Sequence, residues 1–272
     1  MKQIYPNRFK DKVMIITGSA RGIGTATALR AAQEGAKLVL ADRLEKEGGQ
    51  VLDQLKALGG DAIFLHLDLS EEEDAAKLVQ AAVNTYGHLD IAINNAGVMG
   101  NPSQLHELSR EQMDYTMANN FYSVFYCCRQ ELCEFIRQGH GGGIVNNASI
   151  AGLTGLPGNP AYVASKHAVN GLTKNLALDY AKYGINSVNP AATTTPMVAE
   201  AYEYVKARRD AAVKAGMDPS KAQSMAGQKH TSMLEREATA EEQAASILFL
   251  ASPDASHMTG ATVQTDGGWT SF

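Results

Sequence analysis

Cysteine is scarce in this chain, three residues in 272, and Cys127, Cys128 and Cys133 stand close together with no partner elsewhere. A disulfide framework needs thiols spread along the chain, so it is excluded; buried free thiols in a reducing compartment are expected. A metal site would want more ligands than this cluster offers, and none is expected. Long hydrophobic runs are also missing, since no apolar stretch approaches the ~20 residues of a membrane span. The opening residues, MKQIYPNRFKDK, are polar and carry no apolar signal region, so a cytoplasmic protein is expected. Basic runs are absent and the formal net charge is −5, which argues against a nucleic-acid or membrane partner. No linker, internal repeat or low-complexity tract is visible, and residues 1–272 read as a single domain.

What the chain does have is apolar residues, 44% of the total, in an alternating arrangement. Apolar runs of strand length are expected as strands near 12–17, 37–41, 61–66, 89–94, 143–148, 185–189 and 262–265. Amphipathic segments between them are expected as helices near 22–34, 44–58, 71–86, 109–138, 160–183 and 240–251. The pattern implies an α/β fold, a parallel sheet of about seven strands with helices on both faces. Ser70 with Glu73, Ser109 with Gln112 and Thr239 with Glu242 have the spacing of capping boxes at three helix starts. Residues 196–236 interrupt the alternation. They are rich in Ala, Lys, Met and Tyr, look helical in two pieces split at Gly216, Asp218 and Pro219, and have the length of a lid.

Two motifs carry chemistry. After the run Val13-Met14-Ile15-Ile16 comes Thr17-Gly18-Ser19-Ala20-Arg21-Gly22-Ile23-Gly24. Glycines at 18, 22 and 24 would let the backbone turn tightly and approach a pyrophosphate, with the amides of a helix starting near Gly22 directed at it. Downstream, NNASIAGLTGLPGNPAYVASK holds Ser149, Tyr162 and Lys166. Tyr162 and Lys166 are four apart and share one helix face. A lysine cation about 5 Å from a phenol, at an effective dielectric of about 20, favours the phenolate by roughly 3 kcal/mol. That brings a tyrosine from about 10 toward neutral pH, where it can exchange a proton with an alcohol or ketone. Either motif alone also fits a structural turn or a snorkelling lysine; their order and setting carry the weight.

With these motifs the chain resembles the short-chain dehydrogenase/reductase family, in its small, single-domain, NAD-preferring subgroup, over nearly the whole length. The resemblance implies a doubly wound Rossmann-type fold with a cofactor half near 12–100, a catalytic half near 101–272 and a helical substrate lid near 196–236. It implies that Ser149, Tyr162, Lys166 and Asn120 are catalytic. Asn119 is adjacent, and a mid-helix asparagine with a back-bonded amide is the structural alternative. NAD is the implied cofactor, held by Gly18, Ser19, Arg21, Gly22, Ile23 and Gly24. Asp42, ending KLVLAD, would accept from the adenosine ribose and repel a 2′-phosphate, by about 4 kcal/mol per unit charge before screening. Asp42 also fits as a helix N-cap, and Arg43 and Arg21 could offset the repulsion. Asp68 and Leu69 are implied near adenine, Asn95, Ala96 and Gly97 of NNAG beside the ribose, and Tyr162 and Lys166 at the nicotinamide ribose.

The nicotinamide end is expected at VNPAATTTPM, through Pro190, Thr193 and Thr195. The chain departs from the family here. Pro190-Ala191 replaces the usual Pro-Gly, Thr193 replaces an aliphatic residue, and YGINSVNP is two residues short. Two missing residues keep each side chain on its face but shorten a strand by about 6.6 Å, so a displaced nicotinamide loop is expected. The activity implied is interconversion of a secondary alcohol and a ketone, by an expected homotetramer. Leu153, Leu156, Met197, Met217 and Met225 suggest an apolar substrate, a cyclic alcohol, hydroxysteroid or ring diol. A 3-oxoacyl-carrier-protein reductase and a catalytically idle dinucleotide-binding scaffold are the alternatives.

Overall fold

Val13–Thr17 (β1) is buried along its whole length, and its side chains divide between two cores. Val13 and Ile15 enter one cluster while Met14 and Ile16 enter the other. This is the period of two expected of a strand covered on both faces. The computed structural model describes residues 4–218 and 232–271. Lys37–Asp42 (β2), Ala62–His66 (β3), Ile91–Asn94 (β4), Gly143–Asn147 (β5), Gly184–Pro190 (β6), a two-residue strand Thr193–Thr194 (β7), a second, Ala238–Thr239 (β8), and Thr262–Thr265 (β9) complete the strands. Seven of them form one sheet in the order β3-β2-β1-β4-β5-β6-β9, every adjacent pair parallel. The order reverses between β1 and β4, which opens a crevice at the carboxyl ends of the strands.

Helices Gly22–Gln33 (α1), Glu45–Ala57 (α2) and Ala240–Leu250 (α8) contribute to the core that holds Met14 and Ile16. Glu72–Tyr86 (α3), Ser123–Gln138 (α5) and Pro160–Asp179 (α6) contribute to the other. Arg110–Met117 (α4) leads into α5, and Pro196–Lys214 (α7) follows β7. No helix among the described residues is long and apolar enough to cross a membrane. No group of three or more His, Cys, Asp or Glu able to hold a metal occurs among them.

Several local expectations need correction. The helix read over 109–138 is broken by a π-helical turn, Ala118–Tyr122, and the one read over 160–183 ends at Asp179. Ser109 and Thr239 form reciprocal capping boxes with Gln112 and Glu242. Ser70 forms none. The α3 N-cap is Glu71, and the Ser70 hydroxyl instead donates to Asp68 Oδ1 at 2.7 Å, so a closer acceptor wins. Asp42 is no helix cap either, since Leu44 holds that position before α2. The first piece of the expected lid is one helix, α7, ending before Gly216, whose φ is +96°. Of the second piece, residues 219–231, with Pro219 and Met225, lie outside the described residues.

The two-residue deficit before Pro190 leaves no gap in the sheet. β6 is seven residues long, paired with β5 from Gly184 to Val188 and with β9 from Ser187 to Pro190. Side-chain bonds accompany this ladder. Asn186 donates to the Met258 carbonyl at 2.9 Å and accepts from the Ala261 amide at 3.0 Å. Asn170 of α6 donates to Asn189 Oδ1 at 2.8 Å and accepts from the Ser187 hydroxyl at 2.7 Å.

Candidate active site

The glycine turn between β1 and α1 is built by close approach. Gly18 and Gly22 have φ of +62° and +57°, where a side chain strains the backbone. A Cβ on Gly24 would stand 2.0 Å from the Gly18 carbonyl oxygen, so only glycine lets α1 begin here. No side chain caps α1 and no acidic residue lies in its first turn, which leaves its amides and positive dipole end free for an anion. Ser19 is buried, its hydroxyl 3.3 Å from the Ala41 carbonyl, and Ile23 packs against the core. These residues fit a dinucleotide pyrophosphate.

Asp42 ties β2 to that turn, Oδ2 accepting from the Ala20 amide at 2.9 Å and Oδ1 from the Leu44 amide at 3.0 Å. A carboxylate keeps lone pairs beyond these two bonds, enough for ribose hydroxyls. Asp68 accepts from the Ser70 amide and hydroxyl and lies 3.9 Å from Arg43; Leu69 beside it is buried. Arg21 is paired with Glu200 of α7 at 2.7 Å, so its charge is partly committed.

After β4, the Asn95 and Ala96 amides donate to Thr17 Oγ1 at 2.9 and 3.0 Å, and Asn95 Nδ2 donates to the carbonyls of Thr17 and Gly18. A Cβ on Gly97 would lie 3.0 Å from Asn120 Oδ1 and 3.5 Å from Lys166 Nζ, so this glycine lets three elements meet. Asn120, in the π turn, accepts from the Val98 amide at 2.7 Å and donates to the Val98 carbonyl and the Ser165 hydroxyl. Asn119 points elsewhere, its amide bonded back to the Tyr115 carbonyl.

Ser149 begins a 3₁₀ turn, accepting from the Ala151 amide at 3.1 Å. Its hydroxyl lies 3.5 Å from the Pro190 carbonyl, so the end of β6 reaches the site, and it favours the ionised form of the Tyr162 phenol. Lys166 Nζ donates to the Asn147 carbonyl at 2.8 Å and lies 5.7 Å from the Tyr162 ring centre. Pro at the first position starts this helix, and both residues are buried on it.

The electrostatics differ from the sequence expectation. Burial raises the Tyr162 phenol, with the Ser149 hydrogen bond pulling the other way, and burial lowers Lys166 to about 8. Desolvation penalises both charged forms, and the lysine ammonium is turned to the Asn147 carbonyl. Tyr162 is therefore a protonated phenol at neutral pH.

Thr195 caps α7 and rests on the glycine turn, its Cγ2 3.1 Å from where a Cβ on Gly22 would stand. Thr193 is buried and its hydroxyl donates to the Ala191 carbonyl and accepts from Gln243, so its side chain is occupied. Thr17, Ser165 and Asn147 are the neighbours that motif reading missed. Asn147 lay within the NNAS stretch, but nothing in its spacing marks which face it takes.

The family profile described as "short chain dehydrogenase" matches residues 12–206. The chain is 41% identical to a 3beta-hydroxysteroid dehydrogenase of Mediterraneibacter gnavus over 97% of each chain. It is 39% identical to a cyclohexanol dehydrogenase of an Acinetobacter species over 100% of each. The solved structure of levodione reductase is 33% identical and superposes with a TM-score of 0.85, covering 97% of this chain and 99% of that one.

Proposed function

The chain belongs to the short-chain dehydrogenase family, whose members use a nicotinamide dinucleotide, and from that premise we propose an NAD-preferring dehydrogenase of mainly apolar cyclic alcohols. The observation that carries this is the convergence of Ser149, Tyr162 and Lys166 beside Gly97, at the mouth of an uncapped helix start. Interconversion of a secondary alcohol and a ketone is the reaction of this site. The bound dinucleotide supplies hydride donor and acceptor chemistry. Ser149 holds the substrate oxygen, and Tyr162, protonated at neutral pH, gives its proton to a ketone, while its phenolate takes one from an alcohol. Lys166 steadies the phenolate left after ketone reduction and required before alcohol oxidation, and Asn120 holds the Val98 segment against the catalytic helix through Ser165. Pro190, Thr193 and Thr195 shape the nicotinamide end, while Ser19, Arg21, Ile23, Asp68, Leu69 and Asn95–Gly97 line the rest.

Asp42 supports NAD over NADP, because a carboxylate repels a 2′-phosphate. The names of the relatives support the substrate class, extending to hydroxysteroids and ring diols. A cytoplasmic homotetramer is proposed, its assembly supported by the exposed Tyr122 at the end of the π turn, Phe125 and Ile136 on α5, and Leu178, 80% exposed on α6. The test is NAD or NADP reduction across cyclohexanols, ring diols and hydroxysteroids, with wild type and Asp42→Ala. NAD should be preferred by the wild type and the ratio should narrow in the variant; a wild type preferring NADP refutes the cofactor assignment.

A further inference from the structure

Two neighbouring strands run out in the same three residues. The chain leaves β4 through Asn94-Asn95-Ala96 and β5 through Asn146-Asn147-Ala148, with Asn94 paired to Asn146 in the ladder. Alternation along a strand sends the first asparagine of each pair to one face and the second to the other. Asn94 and Asn146 meet at 3.1 Å in the core, beside the buried Glu131. Asn95 and Asn147 meet on the opposite side, between the glycine turn and Lys166, with Asn147 Nδ2 donating to Asn95 Oδ1 at 2.7 Å.

The orientation of this second pair is dictated by chemistry. Asn95 faces the Thr17 and Gly18 carbonyls, each 3.0 Å away, and only its amide nitrogen can serve them. Its oxygen is what remains for Asn147, which must therefore present its own nitrogen. Asn147 Oδ1 is left without a partner although the residue is only 8% exposed. A buried acceptor without a donor costs free energy and marks a place where a donor belongs. The backbone carbonyl of the same residue takes the Lys166 ammonium, so the orphan lies at the catalytic end of the crevice.

We propose that Asn147 is a dinucleotide-binding residue, its Oδ1 accepting a hydrogen bond from a ribose hydroxyl of the bound cofactor. This rests on the nicotinamide-dinucleotide reading above. The adenosine hydroxyls are matched by Asp42 at the far end, which leaves the nicotinamide-side ribose as the sugar whose hydroxyls face Lys166. Asn147 then has all its polar atoms satisfied only when the cofactor is bound, and it links the glycine turn to the catalytic lysine through one side chain and one carbonyl.

The test is calorimetric titration, without substrate, of NADH and of 5′-AMP into wild type and Asn147→Leu. Leucine keeps the bulk and removes both polar atoms. NADH affinity should fall about tenfold, while AMP, which lacks the nicotinamide half, should bind within twofold of wild type. Equal NADH affinity overturns the proposal. So does a parallel loss of AMP affinity, because Asn147 would then act only by supporting Asn95 and the glycine turn. If the leucine variant does not fold, Asn147→Ser is read against the same two outcomes. A wild type that binds neither NADH nor NADPH refutes the family-based reading and is distinguishable from either result.

Discussion

Glu131 is fully buried on α5, with Oε2 accepting from Asn94 at 3.1 Å and Oε1 without a partner. Burial, opposed only by the Asn94 bond, pushes its carboxyl from an ordinary 4.5 up to about 8. A folded value above the unfolded one means that Glu131 contributes stability fully present below about pH 4.5, lost progressively as pH rises through about 8. At about 1.4 kcal/mol per pKa unit, the loss across that window is on the order of 5 kcal/mol, a large share of a typical domain's stability. Glu131→Gln abolishes the titration while keeping an oxygen for Asn94. The thiols of Cys127 and Cys128, both raised well above their usual range by burial, stay neutral across the window. Urea unfolding at fixed protein concentration, followed by circular dichroism at about pH 5.5, 7 and 8.5, isolates the effect, because every other titration is common to both proteins. The variant should cost about 1 kcal/mol or less at the lowest pH and be the more stable protein at the highest. Wild-type and variant stabilities that run parallel with pH would show that Glu131 does not hold its proton in the native state.

Three further outcomes follow from the site. Tyr162→Phe should keep NADH binding within about twofold yet lose at least the ~10² supplied by a positioned acid or base, and near-normal turnover of a verified substrate would refute the proton-transfer assignment. Gly24→Ala, whose Cβ would stand 2.0 Å from the Gly18 carbonyl oxygen, should lose at least about tenfold in NADH affinity, and titration within twofold of wild type would show that the turn can shift. Alcohol oxidation should climb throughout pH 7 to 9, since burial raises the phenol above its ordinary value of 10 and the small phenolate fraction grows with pH, whereas ketone reduction, which uses the protonated phenol, should stay level over the same span. A pH-independent oxidation rate across that interval would contradict the buried-phenol picture.

The sheet was legible because its strands are apolar runs bounded by turns, and every large-sheet strand lies within two residues of where the sequence predicts it. The glycine turn and the Ser149–Tyr162–Lys166 set were legible because each depends on local spacing. What spacing cannot carry is competition. Ser70 looked like a cap until Asp68 offered a nearer acceptor. The apolar periodicity of 109–138 runs on through Asn119 and Asn120, yet the π turn there buries both asparagines, one bonded back along the helix and one reaching Val98. The ionisation of Tyr162 follows the same rule, since the lysine is visible in sequence and the burial that raises the phenol is not. Pairing of β7 with β8 joins residues more than forty apart and left no trace in either segment.

The amides that accompany β6 bear on how a strand keeps its place. An aliphatic strand buried on both faces can slide by two residues and present the same oily surface to its neighbours, so burial alone sets its position only modulo two. Asn186 and Asn189 remove that degeneracy. Displaced by one step of the pleat, Asn186 would abandon both Met258 and Ala261, while Asn189 and Ser187 would release Asn170. The polar core thus works as a vernier, in which several marks coincide at only one setting. Since Asn170 stands on the helix that carries Tyr162 and Lys166, the same coincidence that fixes the strand also fixes how far that helix projects into the crevice.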